Sequence, residues 1–291
     1  MKLQTPVADE KCKVGISFDD KITMLGSCFS DNIGKQLENF GFDVCVNPFG
    51  TLYNPVSILK SVERLATGTP FDENDCVQIG AGDGRFCSFS HHTSFARIGK
   101  EEFLANANRA MKQACEHFAG STKVIITLGT SWCFRHEGKG MIVSNCLKRP
   151  AAEFTRLRLS AGETASCLRQ IADICKEAEG EGFIPKEFIF TVSPIRHFKD
   201  GAHGNQISKA GLLLGVEEAL QSMNGDYFPA YEIMMDELRD YRFYAEDMCH
   251  PTQQAVDYIR ERFLSWALPL SEKQLLEENI RKYRHSCHIS K

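Results

Sequence analysis

The sequence has no long apolar run, which bears on where the protein is expected to function. Residues 1–20 contain acidic side chains and no apolar stretch, so they predict neither a signal peptide nor a membrane span. No later segment is long and apolar enough to cross a bilayer. If the 291 residues are the full length, these absences favour a cytoplasmic protein.

Basic blocks and paired cysteines are also missing. The formal net charge is −4 and no run of Lys and Arg interrupts the chain, which argues against nucleic acid or an anionic membrane as a partner. The 12 cysteines are scattered, with no CxxC pair and no zinc-finger spacing. Without a secretory signal they predict reduced thiols, most of them small buried hydrophobes.

Five short apolar segments predict the strands of a parallel sheet. Several are continuous apolar runs, as expected for strands that are covered on both faces. The predicted strands are residues 22–25, 43–46, 124–128, 187–192 and 227–233. The fifth contains Pro229, which cannot donate a backbone hydrogen bond, so we expect it at a sheet edge or only partly paired.

Helical patterns lie between the predicted strands and after the last one. Strands that alternate with helices predict a doubly wound α/β fold. The expected apolar stripes are Leu104, Ala107, Met111, Ala114 and Phe118; Cys167, Leu168, Ile171 and Cys175; Ala210, Leu213, Leu214, Leu220 and Met223; and Val256, Ile259 and Phe263, with Pro251 as the first residue of that last helix. A final charged helix is expected at roughly 272–285.

Two segments depart from this alternation and predict insertions over one end of the sheet. Residues 71–99 are rich in Phe, Gly and Asp and contain the pair His91–His92. They can form a lid over an acyl or aromatic group or simply the core of an insertion. Residues 131–146 contain two strand-like runs around Glu-Gly-Lys-Gly, which predicts a hairpin.

Two side chains that can act as nucleophiles stand where the first strand gives way to a helix. The stretch ITMLGSCFSDNIGKQL, residues 22–37, places Ser27 and Cys28 directly after Gly26. A helix N-terminus favours a thiolate, and its unpaired N–H groups can bind an oxyanion. The structural alternatives are a buried small hydrophobe for Cys28 and a helix N-cap for Ser27 or Ser30.

Asp247 and His250 form the second feature with chemical potential. They lie three residues apart just before the last core helix, at the expected carboxyl end of the sheet. A nucleophile needs a base, and the base needs a group that fixes its tautomer. The structural alternative is a capping Asp beside a surface His.

These motifs together resemble the SGNH/GDSL hydrolases and, within them, the GSCFA family. The resemblance rests on GSCFS, NPFGTLYNP, LGT, SPIRH and AEDMCHP, and it covers about residues 22–260. It implies a flavodoxin-like three-layer α/β/α sandwich with a five-stranded parallel sheet. It further implies one α/β domain over residues 1–291 with a C-terminal helical extension at about 268–291, and esterase or acyl-transfer chemistry.

The same resemblance implies roles for individual residues. Cys28 falls on the nucleophile of the GDSL pattern, with His250 as base and acid and Asp247 as the orienting carboxylate. Ser27 is the alternative nucleophile, because a shift of one residue in the turn exchanges the two, and otherwise it ties the turn by hydrogen bonds.

The third block of the superfamily pattern usually contains Gly-x-Asn-Asp, and this chain departs from it. Residues 129–132 read Gly-Thr-Ser-Trp, so the Asn that completes the oxyanion hole is missing. Losing one such donor costs about 3–4 kcal/mol of transition-state stabilisation. We expect the backbone N–H groups of Cys28 and Gly50 to serve, with Ser131 or Asn145 as a side-chain donor.

Four further residues are expected to contact substrate. His92 and His197 are candidates, and His197 can alternatively act as the base. Arg196 and Asn205 can bind an anionic or sugar substrate, although either can be purely structural. A metal site built from His92, His197 and His250 ranks below the triad, so no metal and no cofactor are expected.

The sequence therefore predicts a hydrolase or acyltransferase that acts on an ester or thioester, which includes an O-acyl carbohydrate, through an acyl-enzyme. One alternative is a non-catalytic module of the same fold that binds a carbohydrate or metabolite. A metal-dependent hydrolase is another. The expected partner is a small-molecule or carbohydrate ester, and the oligomeric state stays open.

Overall fold

The computed structural model describes residues 5–7, 11–80, 82, 84–177 and 184–289. The strands are β1 (Lys21–Gly26), β2 (Asp43–Val46), β3 (Val77–Gln78), β4 (Arg85–Cys87), β5 (Arg97–Ile98), β6 (Lys123–Leu128), β7 (Trp132–His136), β8 (Met141–Val143), β9 (Phe154–Arg158), β10 (Glu187–Val192) and β11 (Gly225–Phe228). The helices are α1 (Cys28–Asn39), α2 (Pro55–Thr67), α3 (Lys100–Ala119), α4 (Ala161–Glu177), α5 (Gly201–Leu220), α6 (Ala230–Glu232, continued by a π-helix over Ile233–Glu237), α7 (Gln253–Ala267) and α8 (Lys273–Ile289).

The central sheet has five parallel strands in the order β11-β10-β6-β1-β2. The first four predicted strands match its strands to within one or two residues. The predicted bounds of the fifth are wrong: β11 ends at Phe228, and helical residues begin at Ala230. Pro229 has no N–H to continue the ladder, and β11 lies at an edge of the sheet as predicted.

Helices cover both faces of this sheet, so the fold is a three-layer α/β/α sandwich. One core packs α2, α3, α4 and α5 against side chains such as Leu25, Val124 and Ile126. The other packs α1 and α7 against Ile22 and Ile125. Neighbouring residues of one strand therefore belong to opposite cores, which is why the central strands are apolar throughout.

Two details of the predicted helices are wrong. Leu214 is 61% exposed, and the buried face of α5 contains Leu212 and Val216. This face also buries polar side chains that form hydrogen bonds at the strand ends. The apolar stripe alone therefore predicted the wrong buried face of α5. Thr252, not Pro251, precedes the first turn of α7, because Pro251 forms a β-bridge with Tyr244.

The insertions form two small antiparallel sheets. The predicted hairpin is present as β7 and β8, and a strand that was not predicted, β9, completes the order β8-β7-β9. Strands β3, β4 and β5 form the other sheet within 71–99. There Phe71 and Phe89 are buried in the core beside α2 and α3, so this segment contributes core rather than a lid.

The cysteines are all described, and every one is a free thiol. Across the described ranges, no helix combines the length and apolar character that crossing a membrane requires.

Candidate functional site

A cleft of about 430 Å³ opens beyond the carboxyl ends of β1, β6 and β10, and we call it the sheet-edge cleft. Its lining comprises Cys28, Tyr53, Asn54, Thr130, Trp132, Phe134, Val143, Ser144, Asn145, Cys146, Arg156, Ile195, Arg196, His197, Lys199, Asp200 and His250. Ligands bind at this edge in open parallel sheets, where polar loops follow the strands. The cleft brings together Cys28 and His250, as the sequence predicts.

A tight turn delivers Cys28 to this cleft. Gly26 has φ of 141°, and a Cβ at this position would lie 2.1 Å from the Thr127 carbonyl oxygen. Only glycine allows β1 to approach β6 so closely before α1 begins. Cys28 is then the first residue of α1, with its side chain half-buried at the cleft.

Ser27 occupies the cap position instead of facing the cleft. It is buried, and its Oγ accepts a hydrogen bond from the Phe29 N–H at 3.3 Å. Its own N–H donates to the Thr127 carbonyl at 3.1 Å. Ser30 is also buried and donates to Thr127 Oγ1 at 2.7 Å. Both serines therefore hold the turn, whereas Cys28 lines the cleft.

The Cys28 thiol is not pre-ionised by its helix. Burial raises the pKa of Cys28, and the carboxylate of Asp31 raises it further. The N–H groups of Cys28 and Phe29, together with the Lys209 ammonium, lower the pKa but do not outweigh burial. The expected effect of the helix N-terminus is present and insufficient, so Cys28 needs a base to become a nucleophile.

Asp247 and His250 form a preoriented pair. His250 Nδ1 lies 2.5 Å from Asp247 Oδ2, and Asp247 Oδ1 accepts the N–H groups of Cys249 and His250 at 2.9 Å each. These hydrogen bonds lower the pKa of Asp247 to about 2. An ionised carboxylate only accepts, so Nδ1 carries a hydrogen, and in the neutral ring the lone pair is then on Nε2.

The loop around this pair is anchored to the sheet. Met248 adopts a left-handed conformation, with φ of 55°, which lets the chain fold back between the two side chains. Arg196 N–H donates to the Cys249 carbonyl at 3.1 Å and thereby ties the loop to the end of β10. In the described structure, no hydrogen bond joins Cys28 Sγ to the His250 ring, although both residues line the same cleft.

A buried lysine supports the floor of the site. Lys209 Nζ donates to the carbonyls of Gly129 at 2.8 Å and Ser193 at 2.7 Å, which follow β6 and β10. Burial lowers the pKa of Lys209 to about 7, and the cation of Arg196 acts in the same direction. Sequence reasoning missed Lys209, although it lies three residues before Leu212 and so on the same face of α5.

Asn47 organises the loop after β2, and its carbonyl accepts the N–H group of Gly50, which was one of the predicted oxyanion donors. Its Oδ1 accepts the Gly26 N–H at 2.8 Å, and its Nδ2 donates to Asp31 at 2.6 Å. The Gly50 N–H donates to the Asn47 carbonyl at 2.7 Å. Gly50 does not line the sheet-edge cleft. Its N–H is occupied, so the predicted oxyanion role of Gly50 does not fit this geometry.

The two predicted side-chain donors have different environments. Ser131 is fully buried away from the cleft lining, and its Oγ and N–H both bond Ser208 Oγ, at 3.2 and 2.8 Å. Asn145 lines the cleft, and its Oδ1 accepts the Leu147 N–H at 2.8 Å. The amide NH₂ of Asn145 therefore remains as a donor, whereas Ser131 has a structural environment.

Of the four residues that were predicted to contact substrate, two line the cleft and two lie outside its lining. Arg196 and His197 line the cleft. Burial lowers the pKa of His197 to about 4, so its ring is neutral at pH 7. Asn205 is buried and accepts the His197 N–H at 2.9 Å, so it positions His197 and does not line the cleft. His92 lies outside the lining and accepts the Ser94 N–H at 3.3 Å.

One wall of the cleft comes from the β8-β7-β9 sheet. The Arg156 guanidinium lies 4.2 Å from the Trp132 ring centroid and forms an ion pair with Asp200, which precedes α5. None of these residues was predicted to line the cleft, because no pattern in the sequence indicates that β9 pairs with β7. Elsewhere in the described structure, no group of three or more His, Cys, Asp or Glu side chains is arranged to hold a metal ion.

The five-stranded parallel sheet between two layers of helices, with a cleft beyond the carboxyl ends of its strands, defines an α/β protein of the three-layer class. The chain belongs to the GSCFA family, whose model matches residues 21–263. Among solved structures, an acetyl xylan esterase from the rumen bacterium Butyrivibrio proteoclasticus is similar at 10% identity and a TM-score of 0.40, covering 86% of this chain and 64% of that one. No curated protein matches the chain.

Proposed function

We propose that this protein is an ester or thioester hydrolase, or an acyltransferase, that uses Cys28 as its nucleophile. The observation that carries the proposal is the Asp247–His250 pair, with its 2.5 Å hydrogen bond, on the cleft that Cys28 also lines. A surface His has no need of a carboxylate that is itself fixed by two backbone N–H groups. A general base does need one, because its tautomer and orientation must be set.

The proposed reaction begins with a protonated Cys28 thiol and a neutral His250 ring. His250 Nε2 takes the thiol proton of Cys28, and the thiolate attacks the carbonyl carbon of the ester or thioester. The tetrahedral intermediate collapses, and His250 returns the proton to the departing alcohol or thiol. Water or a hydroxyl acceptor then attacks the acyl-thioenzyme and loses its proton to His250. The carbon–sulfur bond breaks, the acid or the new ester leaves, and the Cys28 thiolate recovers the proton from His250.

The oxyanion needs donors that the loop after β2 does not supply. The Cys28 N–H at the start of α1 is one, and the NH₂ group of Asn145 is the second candidate in the cleft lining. Asn145 would then take the part that the missing third-block Asn plays in the superfamily pattern. Transition-state charge is stabilised most by donors that are fixed in place, as Asn145 is by its bond to Leu147.

A non-catalytic binding module is the second candidate, and one observation favours it. In the described residues Cys28 Sγ and the His250 ring are not hydrogen-bonded, and the Cys28 thiol stays protonated through burial. Catalytic contacts are often long in a free enzyme and tighten on binding substrate. His197, neutral and in the same cleft, is the alternative base if His250 does not close on Cys28.

The decisive experiment measures turnover of a short-chain aryl ester and a matching thioester by variants of the site. We expect Cys28→Ala and His250→Ala to lose about 10³-fold in kcat/KM. Ser27→Ala should retain most activity. Cys146→Ala is the matched control, because Cys146 is a half-buried thiol in the same cleft. Peptide mapping of stalled enzyme should place the acyl group on Cys28.

Two results would count against catalysis by Cys28. Turnover that survives in both Cys28→Ala and Ser27→Ala would remove both nucleophiles from consideration. Absence of turnover on every ester and thioester, with ligand binding in the cleft intact, would favour the binding module.

A further inference from the structure

Several nitrogen atoms in the sheet-edge cleft lack a hydrogen-bond partner. Trp132 Nε1, Arg196 Nε and His197 Nε2 are buried and have no hydrogen-bond partner in the described structure, and all three residues line the cleft. Indole and guanidinium nitrogens only donate. A buried donor without an acceptor costs free energy, so a ligand that brings acceptors would be stabilised here.

Three hydrogen-bond acceptors of the lining are already in use. Asn145 Oδ1 accepts the Leu147 N–H, Asn54 Oδ1 accepts the Ser57 N–H, and Thr130 Oγ1 accepts the Trp132 N–H. Each hydroxyl of a neutral sugar or polyol also brings an O–H donor, which needs an acceptor in the lining. The cleft therefore suits a ligand that mainly accepts, and a carboxylate is acceptor-only when ionised.

The charges in the lining point the same way. Arg196 and Lys199 are both cationic, and neither forms an ion pair with a carboxylate among the residues the structure describes. Arg196 instead stacks 4.8 Å from the Phe198 ring centroid. The one carboxylate of the lining, Asp200, is paired with Arg156. The cleft thus has unbalanced positive charge beside its unpaired donors.

We propose that the sheet-edge cleft recognises a carboxylate group on its substrate, with Arg196 and Trp132 as the principal donors. If the proposed ester chemistry holds, on which this specificity rests, the substrate is an ester or thioester that also carries a free carboxylate. Planar guanidinium and indole N–H groups suit a planar carboxylate.

The test compares benzoate with benzamide, which match in shape and differ in charge. Each is titrated into isotopically labelled full-length protein, and the indole N–H signals are followed by NMR. The chain has 2 tryptophans, so Trp266 is an internal reference outside the cleft. We expect the Trp132 signal to shift, with benzoate binding at least about tenfold more tightly than benzamide, as a charge-assisted hydrogen bond implies.

Variants localise the effect. Arg196→Gln should weaken benzoate binding about tenfold and leave benzamide binding unchanged. Arg239→Gln is the control, because Arg239 pairs with Asp236 and lies outside the lining. If Arg196→Gln does not fold, Lys199→Gln, at an exposed position, should give a smaller loss in the same direction.

Equal affinity for the two probes, or no movement of Trp132 with either, would overturn the proposal. The outcome is separate from that of the catalytic proposal. A preference for benzoate without ester turnover would support the carboxylate site and contradict the catalytic proposal. Ester turnover without a preference for benzoate would support the catalytic proposal and overturn the carboxylate site.

Discussion

At the scale of single residues, His91 is a buried base with no part in the cleft. Its ring lies 4.5 Å from the ring centroids of both Phe71 and Phe95, and its Nδ1 lies 2.7 Å from Ser88 Oγ. Burial, helped by the cation of Arg64, lowers the pKa of His91 to about 3. The folded protein therefore keeps this ring neutral where an unfolded chain would protonate it.

This difference predicts an acid-dependent loss of stability. Below the unfolded pKa of about 6.5 the unfolded chain binds a proton that the folded chain does not, so stability falls as pH decreases. Between about pH 7.5 and about pH 5 we expect His91 to account for a loss of about 2 kcal/mol. In urea unfolding, His91→Gln should show a correspondingly smaller change with pH, whatever its absolute stability.

The control for this prediction is His285→Gln, because His285 is exposed on α8. It should keep the wild-type dependence on pH. An identical pH dependence in all three proteins would mean that His91 is protonated inside the folded chain.

Single residues also show where the sequence was sufficient. Asp247 and His250 could be paired from their spacing, because a short local turn determines their contact. Lys209 and Trp132 could not be found in this way. Their roles depend on which strand ends lie close together in the fold. A lysine in an apolar helix does not by itself indicate that its ammonium donates to two backbone carbonyls.

At the scale of elements, the turn from β1 to α1 sets the position of Cys28, the proposed nucleophile. Gly26→Ala would place a methyl group 2.1 Å from the Thr127 carbonyl oxygen, at a φ of 141° that alanine rarely adopts. We expect a loss of about 3 kcal/mol in the free energy of unfolding, because neither backbone can yield without separating β1 from β6. Urea denaturation measures this loss.

Gly162→Ala is the matched control for the turn. Nothing lies within 4 Å of a Cβ at Gly162, which is in the first turn of α4. Its stability should equal or slightly exceed that of the wild type. If Gly26→Ala is equally harmless, the close approach of β1 and β6 is not what fixes the turn.

The elements also show why strands were predicted better than helix faces. Strands buried on both sides are apolar at every position, so their bounds could be read without knowing their orientation. Helix α5 has apolar residues around much of its circumference, and it directs Asn205, Ser208 and Lys209 inward. Its orientation follows from the hydrogen bonds that these side chains form at the strand ends, and no local sequence pattern indicates those bonds.

At the scale of the whole molecule, α8 lies beyond residues 21–263, which the family model matches. It packs Leu276, Ile280 and Tyr283 on the core of α1 and α7, and Asn279 Nδ2 donates to the Phe40 carbonyl at 2.9 Å. Removing residues 269–291 should lower the free energy of unfolding by about 2–4 kcal/mol, because these side chains are only partly buried.

The shortened protein should nevertheless keep its sheet and its cleft, so the Trp132 indole signal should stay at its wild-type position. Leu275→Ala, on the exposed side of α8, is the control and should change stability little. Loss of the folded state on truncation would instead make α8 part of the domain, rather than the C-terminal extension that the sequence predicts.

The β8-β7-β9 sheet is a single excursion between β6 and α4, yet it forms a wall of the cleft through Trp132, Phe134 and Arg156. Cys28, Asp247 and His250 lie on other parts of the chain. This wall and the residues proposed for catalysis therefore belong to separate parts of the chain. Exchange of the segment between β6 and α4 would reshape this wall and leave Cys28, Asp247 and His250 unchanged.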